Sequence, residues 1–521
     1  MSQMQRGAFG IILFLLGGLF SIRPSAAMNA DSFDRAADLL RKGQYTDALD
    51  LYQTLADNAD TPNMTAQALL LKATAIGLYL NQPDSALSLL RKIRADYPDS
   101  PAAADALFHE GMMLYEQQHY RAAHNTFSLY MDQYPKGFRH ASAQSWKAHA
   151  GKQAEGKVTS IGPSLSDFTP DTEIRVLMTE SARQVHIDAS SRILIQDAFT
   201  GKELYRGAGP INVTHQNGKL ALNHRPSASL QCRVETNGST LSLNGTRLRG
   251  FLMVSLEPNG MQVINHLPLE HYLYGIIPKE MPSGWPHDAL KAQAVASRTY
   301  ALYITSKNRL MPYDVKASTA SQVYGGYAVE TTSTNAAVNA TRGQVLTHND
   351  QLIIAFFHAN SAGHTEDAHH VWQVEIPYLK AVPDQFSSNL PNSGWEYYLP
   401  YTTASSRLNQ AGLNIGKISA ISSCEYSPTG RVLRIAVHAN NGNTSLSANH
   451  FRCLLDEKQI KSTYFKIISG PSGILLKGEG YGHGVGMSQW GANRMAAAGY
   501  SHLDILKHYY PGVALATLGN I

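Results

Sequence analysis

Apolar positions along the chain follow two different periods. From about residue 31 to 150 they recur with the period of a helix, in three segments that align with one another. Tyr45, Pro83 and Tyr120 occupy equivalent positions, 38 and 37 residues apart, and each is followed three residues later by an alanine. Small residues at a fixed position of a repeated helical unit favour helix pairs that stack on their neighbours. We therefore predict a helical-repeat module over 28–150, with an ordinary helical bundle as the alternative.

The period changes beyond this module. Residues 151–172 lack periodicity and carry Gly, Ser and Pro, which is typical of a linker. From 173 to 266, short runs alternate between apolar and polar residues and are separated by Gly, Asn and Asp, so a β-rich region is expected. A long helix should follow, with Pro286 in its first turn and an apolar stripe from Leu290 to Tyr303. The predicted fold class is multidomain α+β: an N-terminal all-α helical-repeat module, then a mixed α+β domain whose first part is β-rich.

The amino-terminal residues indicate the compartment. Arg6 precedes an apolar run from Phe9 to Phe20, and the small residues Ser25-Ala26-Ala27 follow it. This pattern predicts a secretory signal peptide over 1–27. An uncleaved membrane anchor is the alternative, but the apolar run is about a dozen residues and a span needs roughly twenty. We expect a secreted protein, located in a periplasm or elsewhere in the cell envelope.

Charge and cysteine content narrow the partners and sites. The chain has 44 Lys+Arg and 40 Asp+Glu, and no long run of one sign, so nucleic acid is not expected as a partner. The three cysteines form no C-x-x-C pair, which argues against a structural zinc site built on cysteine. Cys424 and Cys453 could form a disulfide and leave Cys232 unpaired; the sequence leaves this open.

A glycine-rich stretch, GEGYGHGVGMSQWG (478–491), has six glycines in fourteen positions. It is not a dinucleotide fingerprint, because Gln489 stands where the third glycine is needed. It is not a phosphate loop either, because Ala492-Asn493 follows Gly491 in place of Lys and Ser or Thr. Alternating glycines predict a strand or loop whose backbone is approached closely by another chain or a ligand.

One acidic residue lies in a proline-rich setting. Glu280 is flanked by Pro278, Pro282 and Pro286, which predict a stiff, non-helical loop. Glu270, ten residues earlier, falls at the predicted start of a helix, where the helix dipole favours a carboxylate without any catalytic role.

Several motifs, in one order, resemble the SpoIID/LytB family, which is named for stage II sporulation protein D and an amidase enhancer. They are LPLEHYLYGIIPKEMPSGWPHDALKAQAVASRTYALYITSK (267–307), FFHANSAGHTEDAHHVW (356–372), PYLKAVPDQF (377–386) and the glycine-rich stretch. The resemblance covers about 170–515 and implies a catalytic core over 267–521, preceded by the β-rich part. The helical module falls outside it and resembles tetratricopeptide repeats.

The family resemblance implies a protein that remodels peptidoglycan. SpoIID-like members are lytic transglycosylases on glycan strands whose stem peptides an amidase has removed, and LytB-like members are described as enhancers of that amidase. The family's catalytic glutamate corresponds to Glu280. One carboxyl can act twice, first protonating the glycosidic oxygen and then taking a proton from the sugar's own 6-hydroxyl, which closes a 1,6-anhydro ring. Apolar neighbours such as Met281 and Trp285 would favour this role by raising the pKa of the carboxyl.

Six further residues are predicted to contact the glycan. They are His483 and Gln489 in the glycine-rich stretch, Tyr324 in QVYGG, and His358, Ser361 and Thr365 in the second motif. Short polar side chains of this kind hydrogen-bond sugar hydroxyls, and an aromatic ring can stack on a sugar face.

No metal or other cofactor is expected. Some SpoIID members hold zinc with a His-Cys pair before QVY, where this chain has Ala320 and Ser321. The four histidines between residues 358 and 370 do not have the H-E-x-x-H spacing of a zinc hydrolase. Two of them, His369 and His370, are expected at the surface.

The sequence leaves three functions to compare. The first is a transglycosylase with Glu280 as acid and base, whose partner is the peptidoglycan glycan strand. The second is a non-catalytic regulator, in which the same groove grips glycan while the helical repeats recruit a cell-wall amidase or an envelope protein. The third is a scaffold whose repeats assemble an envelope complex.

Overall fold

The structure of the protein is a computed structural model with a mixed α+β, multidomain fold, as predicted. It describes residues 35, 36, 39, 45–154, 165 and 168–519, with gaps at 81, 118, 136, 138, 170, 199, 217, 218, 228, 239, 258, 259, 309–311, 319, 320, 373, 374, 391, 392, 412 and 414. The predicted signal peptide lies outside the described residues, as does most of the predicted linker. None of the helices in the described part has both the length and the hydropathy to cross a membrane.

The chain divides into two compact units. Among the described residues, the first unit comprises those up to Lys279 together with Ile304–Glu330, and the second comprises Glu280–Tyr303 and those from Thr331 onward.

The first unit begins with paired helices that match the predicted repeat. Their bounds are α1 Tyr45–Asp57, α2 Pro62–Tyr79, α3 Pro83–Asp96, α4 Pro101–Glu116, α5 Tyr120–Gln133 and α6 His140–Ala154. The first helix of each pair starts at the aligned positions Tyr45, Pro83 and Tyr120. The three aligned alanines, Ala48, Ala86 and Ala123, are fully buried, so a small residue at this position lets neighbouring helices approach.

Local sequence sets the starts of the second helices. In α2, the Thr61 side chain accepts a hydrogen bond from the amide of Met64, and Pro62 fills the first helical position. In α4, Ser100 caps the amide of Ala103 in the same way, with Pro101 first. Caps of this kind satisfy amides that have no partner inside the helix.

Two sheets make up the β-rich region of the first unit, and their strand orders are β13-β1-β12-β11-β8-β3-β4 and β10-β9-β2-β5-β6-β7. The bounds are β1 Glu173–Ala182, β2 Gln184–Ala189, β3 Ile193–Asp197, β4 Glu203–Gly207, β5 Ile211–Gln216, β6 Lys219–Leu222, β7 Arg225–Pro226, β8 Gln231–Thr236, β9 Leu241–Leu243, β10 Thr246–Leu248, β11 Phe251–Glu257, β12 Gly260–Pro268 and β13 Val315–Lys316. The strands alternate between buried and exposed side chains, as in β2, where Val185 and Ile187 are fully buried.

Two helices follow the sheets along the chain, α7 Leu269–Glu280 and α8 His287–Lys307. The prediction that Glu280 lies in a non-helical loop is wrong, because Glu280 is the last residue of α7 and Pro278 lies inside that helix. The buried apolar residues Leu273, Ile276 and Ile277 hold the last turn against the core, and this packing outweighs the local preference of proline. Glu270 lies in the first turn, where its helix start was predicted.

The rest of the second unit mixes short helices with small sheets. Its elements are α9 Thr332–Ala340, β14 Gln344–His348, β15 Gln351–Leu352, β16 Phe357–His358, α10 Ala368–Trp372, β17 Gly394–Pro400, α11 Tyr401–Gln410, β18 Ile418–Tyr426, β19 Val432–Ala439, β20 Gly442–Ser447, α12 Ala448–Leu455, β21 Phe465–Ser469, β22 Gly473–Glu479, β23 Met487–Ser488, α13 Gln489–Ala497, α14 His502–Tyr509 and β24 Ala514–Thr517.

Residues 394–479 have a hydrophobic core of their own, which the sequence did not reveal. Two three-stranded sheets, β17-β22-β21 and β18-β19-β20, contribute to it together with α11 and α12. Leu399, Ile421, Ile435 and Phe451 are fully buried in this core. We call residues 394–479 the inserted segment.

The cysteines are not paired. Cys232 is buried, whereas Cys424 and Cys453 are exposed, and all three are free thiols.

Candidate active site

Glu280 and Gln489 meet in the second unit. Glu280 is partly exposed at the end of α7, and its Oε2 accepts a hydrogen bond from Gln489 Nε2 at 3.4 Å. Gln489 is the first residue of α13, and the Ser488 hydroxyl caps that helix by accepting from the amide of Gly491. The fold therefore brings into contact two residues that lie in different motifs and are 209 positions apart in the sequence.

A chain of polar side chains fixes the amide of Gln489. Its Nε2 also donates to Gln293 Oε1 at 3.4 Å, and Gln293 Nε2 donates to Ser297 Oγ at 3.0 Å. Gln293 and Ser297 are fully buried and Gln489 is nearly so. The network assigns the amide orientation, with the nitrogen of Gln489 directed at the carboxylate.

The charge of Glu280 affects the pKa of Tyr300. Burial, and then the negative charge of Glu280, raise the pKa of Tyr300 to about 12. The phenol is therefore a neutral hydrogen-bond donor at neutral pH. Gln293, Ser297 and Tyr300 are spaced i, i+4 and i+7 on α8, which places them on one helix face.

Partly exposed aromatic rings continue from Tyr300 to His483. The ring of Phe356 lies 6.0 Å from that of Tyr300, 4.5 Å from Trp372 and 5.8 Å from His483. Trp372 and His483 are 5.1 Å apart. The ring of Phe356 thus connects Tyr300, whose pKa is raised by the charge of Glu280, to His483. The prediction that the imidazole and the carboxylate line one cleft stays a prediction.

The two histidines of the site are both neutral. His483 Nδ1 accepts a hydrogen bond from the amide of Val485, which leaves the proton on Nε2. Burial, followed by the positive charges of Arg452 and Arg431, lowers the pKa of His483 to about 3. His358 is 4% exposed, with Nδ1 3.1 Å from the carbonyl oxygen of Val485. Burial, with His483 next in size, holds the pKa of His358 well below its usual value.

The glycine-rich stretch is closely approached, as predicted, and the approaching groups belong to the protein itself. Strand β23 pairs in parallel with β16, so that Met487 faces Phe357 and Ser488 faces His358. At Gly486, with φ of 71°, a Cβ would overlap the carbonyl oxygen of Phe356. At Gly484, with φ of 85°, it would lie 2.7 Å from Cζ of Arg431. Both positions require glycine.

Ser361 and Thr365 point their hydroxyls into the protein. Ser361 is 2% exposed and donates to Oδ2 of the buried Asp384 at 2.7 Å. Thr365 is fully buried and accepts from the amide of Val382 at 2.8 Å. The structure therefore places both beside the candidate site as packing residues, and glycan contact by either stays a prediction.

Tyr324 lies in the first unit, where it is 6% exposed. Its ring stacks on Tyr272 at 5.4 Å and packs against Gly275 of α7. Burial, with Glu330 next, raises the pKa of this phenol. Stacking of Tyr324 on a sugar therefore stays a prediction.

A polar cluster fastens the inserted segment to the site. Glu366 is 1% exposed and accepts hydrogen bonds from the hydroxyls of Ser427 and Thr429, in the turn between β18 and β19, and from Nδ1 of His370. Burial alone would raise the pKa of Glu366, but these hydrogen bonds lower it below its usual value. Arg431, at the end of the same turn, donates to the carbonyl oxygen of Ser361 at 2.6 Å.

Sequence reasoning missed Gln293, Tyr300, Phe356, Trp372 and Trp490. The i, i+4, i+7 spacing of Gln293, Ser297 and Tyr300 gave no clear signal, because α8 carries other polar residues as well, such as Arg298 and Thr299. For Trp490, the signal was its position directly after the predicted site residue Gln489. Across the described residues, no group of three or more His, Cys, Asp or Glu side chains is arranged to hold a metal ion.

Family models match three parts of the chain. A model described as Stage II sporulation protein matches residues 257–348. A model described as a domain of unknown function matches 395–486, which coincides closely with the inserted segment. A tetratricopeptide repeat model matches 67–100, which covers most of α2 and all of α3.

Three curated relatives match between 49% and 62% of the chain. An uncharacterized protein of Brachyspira hyodysenteriae is 35% identical, over 54% of this chain and 75% of its own length. Stage II sporulation protein D of Bacillus subtilis is 31% identical, over 49% of this chain and 76% of its own. The amidase enhancer of Bacillus subtilis is 32% identical, over 62% of this chain and 52% of its own.

Proposed function

Since the chain belongs to the SpoIID family, we propose that it is a lytic transglycosylase that cleaves amidase-denuded peptidoglycan strands and leaves 1,6-anhydro-muramyl ends. The observation that carries the proposal is the contact between the Glu280 carboxylate and the Gln489 amide beside partly exposed aromatic rings.

In the proposed reaction Glu280 acts as acid and then as base. The protonated carboxyl gives its proton to the glycosidic oxygen as the bond from that oxygen to C1 of the muramyl sugar breaks. The carboxylate then takes the proton of the sugar's 6-hydroxyl, and the 6-oxygen bonds to C1. Water is not consumed, and Glu280 returns to its protonated form. Gln489 holds Oε2 and so orients the carboxyl for both steps.

The surroundings support glycan binding. Carbohydrate and other ligand sites combine apolar and aromatic walls with a few oriented polar groups, and here Tyr300, Phe356 and Trp372 are partly exposed near Glu280. We assign a direct glycan contact to the partly exposed His483, and to the nearly buried Gln489 the role of holding the Glu280 carboxyl. The buried side chains of His358, Ser361 and Thr365 are assigned the role of shaping the site.

We place the protein outside the cytoplasm, in the periplasm or elsewhere in the cell envelope. The signal peptide predicted over residues 1–27 supports this location, because it would direct export from the cytoplasm. The proposed glycan substrate lies in the same compartment.

A second function is favoured by two observations. A relative is named an amidase enhancer, and the N-terminal helices match a tetratricopeptide repeat model. Helical repeats commonly present extended surfaces for binding other proteins. In this alternative the protein grips glycan without cleaving it, and the repeats recruit or stimulate a cell-wall amidase.

One assay separates the two. The mature protein is incubated with glycan strands stripped by an amidase, and the products are searched for 1,6-anhydro-muramyl ends by mass spectrometry. We expect such ends from the wild type and a loss of at least about 100-fold in rate for Glu280→Gln, the size of a typical acid–base contribution. Glu375→Gln is the matched control, because the Glu375 side chain is 78% exposed. Glycan binding by the wild type without any such ends would eliminate the enzymatic function and leave the enhancer.

A further inference from the structure

Two tryptophans lie together beside the Glu280–Gln489 contact. The rings of Trp285 and Trp490 are 4.9 Å apart and tilted by 57°. Trp490 directly follows Gln489, and Trp285 follows Glu280 by five residues. Since the chain has only five tryptophans, the placement of two at this point concentrates its largest aromatic rings next to the proposed acid.

The backbone holds Trp490 in place while its ring remains open to solvent. The amide of Trp490 donates to the carbonyl oxygen of Ala359 at 3.0 Å. On the other side, the Trp285 amide donates to the carbonyl oxygen of Pro282 at 3.0 Å. Trp490 is nevertheless 42% exposed. The indole thus combines a restrained position, given by its contact with Trp285, with an exposed apolar surface.

Other exposed aromatic residues differ from this pair. Tyr398 and Tyr426 are 50% and 53% exposed, but each phenol oxygen bonds a serine hydroxyl, Ser472 and Ser423 respectively. Single exposed aromatic residues are ordinary on protein surfaces. Trp490 is distinguished by its contact with a second tryptophan and by its position next to the Glu280–Gln489 contact.

We propose that Trp285 and Trp490 form a subsite that stacks on one N-acetylhexosamine ring of the glycan, next to the sugar whose bond Glu280 cleaves. This inference rests on the proposed function and adds a location for the substrate. A pyranose ring presents C–H groups on its faces and hydroxyls at its edge, so that stacking on an indole buries the apolar face and leaves the hydroxyls to water.

The subsite has a kinetic consequence. Stacking does not distinguish the ground state from the transition state of bond cleavage, so it lowers KM and leaves kcat nearly unchanged. Trp490 should therefore affect binding, whereas Glu280 affects the chemical step.

The test uses the full chain carrying Glu280→Gln, so that glycan is bound and not consumed. The probes are amidase-denuded glycan strands and a β-1,4-linked N-acetylglucosamine hexamer, and affinity is measured by calorimetry. Trp490→Ala should weaken binding roughly tenfold, which is 1.4 kcal/mol. Trp490→Phe keeps an aromatic ring and should stay within about twofold of the parent.

A matched control and a second readout guard against a folding defect. Tyr500 is 43% exposed and packs on Phe386, so Tyr500→Ala removes a comparable exposed ring elsewhere and should leave the affinity unchanged. Glycan should shift tryptophan emission of the parent to shorter wavelength, and Trp490→Phe should remove most of that shift. In the active enzyme, Trp490→Ala should raise KM with kcat within about twofold.

The outcomes separate this inference from the proposed function. If Trp490→Ala binds both probes as tightly as its parent, the subsite is wrong, while anhydro ends from the wild type would still support the transglycosylase. Glycan binding that falls equally in Trp490→Ala and Tyr500→Ala also overturns it. If the Glu280→Gln chain and the wild type both fail to bind glycan, the proposed function and the subsite fail together.

Discussion

The carbonyl oxygen of Phe356 lies so close to the Cα of Gly486 that there is no room for a side chain at this position. Gly486→Ala adds strain from its φ of 71°, about 1–2 kcal/mol, and an overlap with rigid backbone, about 1–3 kcal/mol. We expect the free energy of unfolding to fall by about 2–5 kcal/mol, measured by urea denaturation.

Gly499→Ala isolates the conformational part of this effect. Gly499 has φ of 90°, but a Cβ there would meet nothing within 4 Å. Its substitution should therefore cost only the strain, about 1–2 kcal/mol. An equal loss of stability in the two variants would contradict the close approach of Phe356 to Gly486.

The residues of the site differ in how far the sequence could place them. Gln489 was predicted beside Glu280 because both belong to motifs that resemble one family, and the structure brings them to 3.4 Å. Gln293 was not predicted, because one polar side chain among several in a helix is informative only once its neighbour across the fold is known. Tyr324 was predicted as a site residue, but its contact with Tyr272 was not, because that contact arises from tertiary packing.

Among the elements, the turn between β18 and β19 joins the inserted segment to the site through Glu366. Glu366→Gln keeps the size of the side chain but removes the negative charge that accepts hydroxyl and imidazole protons. One of the acceptor oxygens becomes a donor, so buried hydroxyls lose partners and Arg431 loses a nearby counter-charge. We expect a loss of about 2–4 kcal/mol in the free energy of unfolding.

Hydrogen exchange gives that prediction a local readout. Amides of residues 427–431 should exchange faster in Glu366→Gln, because the turn loses its anchor. The control is Glu396→Gln, since Glu396 forms an exposed ion pair with Lys477 and should contribute less than about 1 kcal/mol. Unchanged exchange in the turn would show that Glu366 does not fasten the inserted segment.

Elements determined by local sequence were predictable, whereas elements determined by long-range packing were not. The starts of α1, α3 and α5 were predictable because each repeat unit carries its own helix pattern and a buried alanine. The helical state of Glu280 was not, because buried residues of α7 override the preference of Pro278. The separate core of the inserted segment was missed as well, since it is closed by the pairing of β17 with β22, which lie at opposite ends of the segment.

For the whole molecule, the division into units separates two kinds of function. The second unit contains Glu280, the Gln489 side chain that contacts it, and Tyr300. The helical repeats belong to the first unit. The proposed chemistry and the proposed recruitment of an amidase are therefore carried by different parts of the chain, and variants can test each one separately.

Stability as a whole should fall in mild acid, because His358 and His483 have pKa values lowered by burial. The unfolded chain takes up a proton at each imidazole below its ordinary pKa of about 6.5, and the native state does not. Protons therefore favour the unfolded state, and the free energy of unfolding should decrease as pH falls from about 6.5 toward 3. Glu366, whose pKa is also lowered, adds to the loss below about pH 4.3.

The contribution of one histidine can be measured from the slope. In urea denaturation between pH 6.5 and 5, His483→Asn should reduce the pH dependence of the free energy of unfolding by up to about 1.4 kcal/mol per pH unit. Asparagine can still accept the hydrogen bond from the Val485 amide but cannot take up a proton. His369→Asn changes an exposed histidine and should leave the slope at the wild-type value. Parallel slopes for His483→Asn and the wild type would mean that His483 is protonated in the native site, where Arg431 and Arg452 would then oppose it.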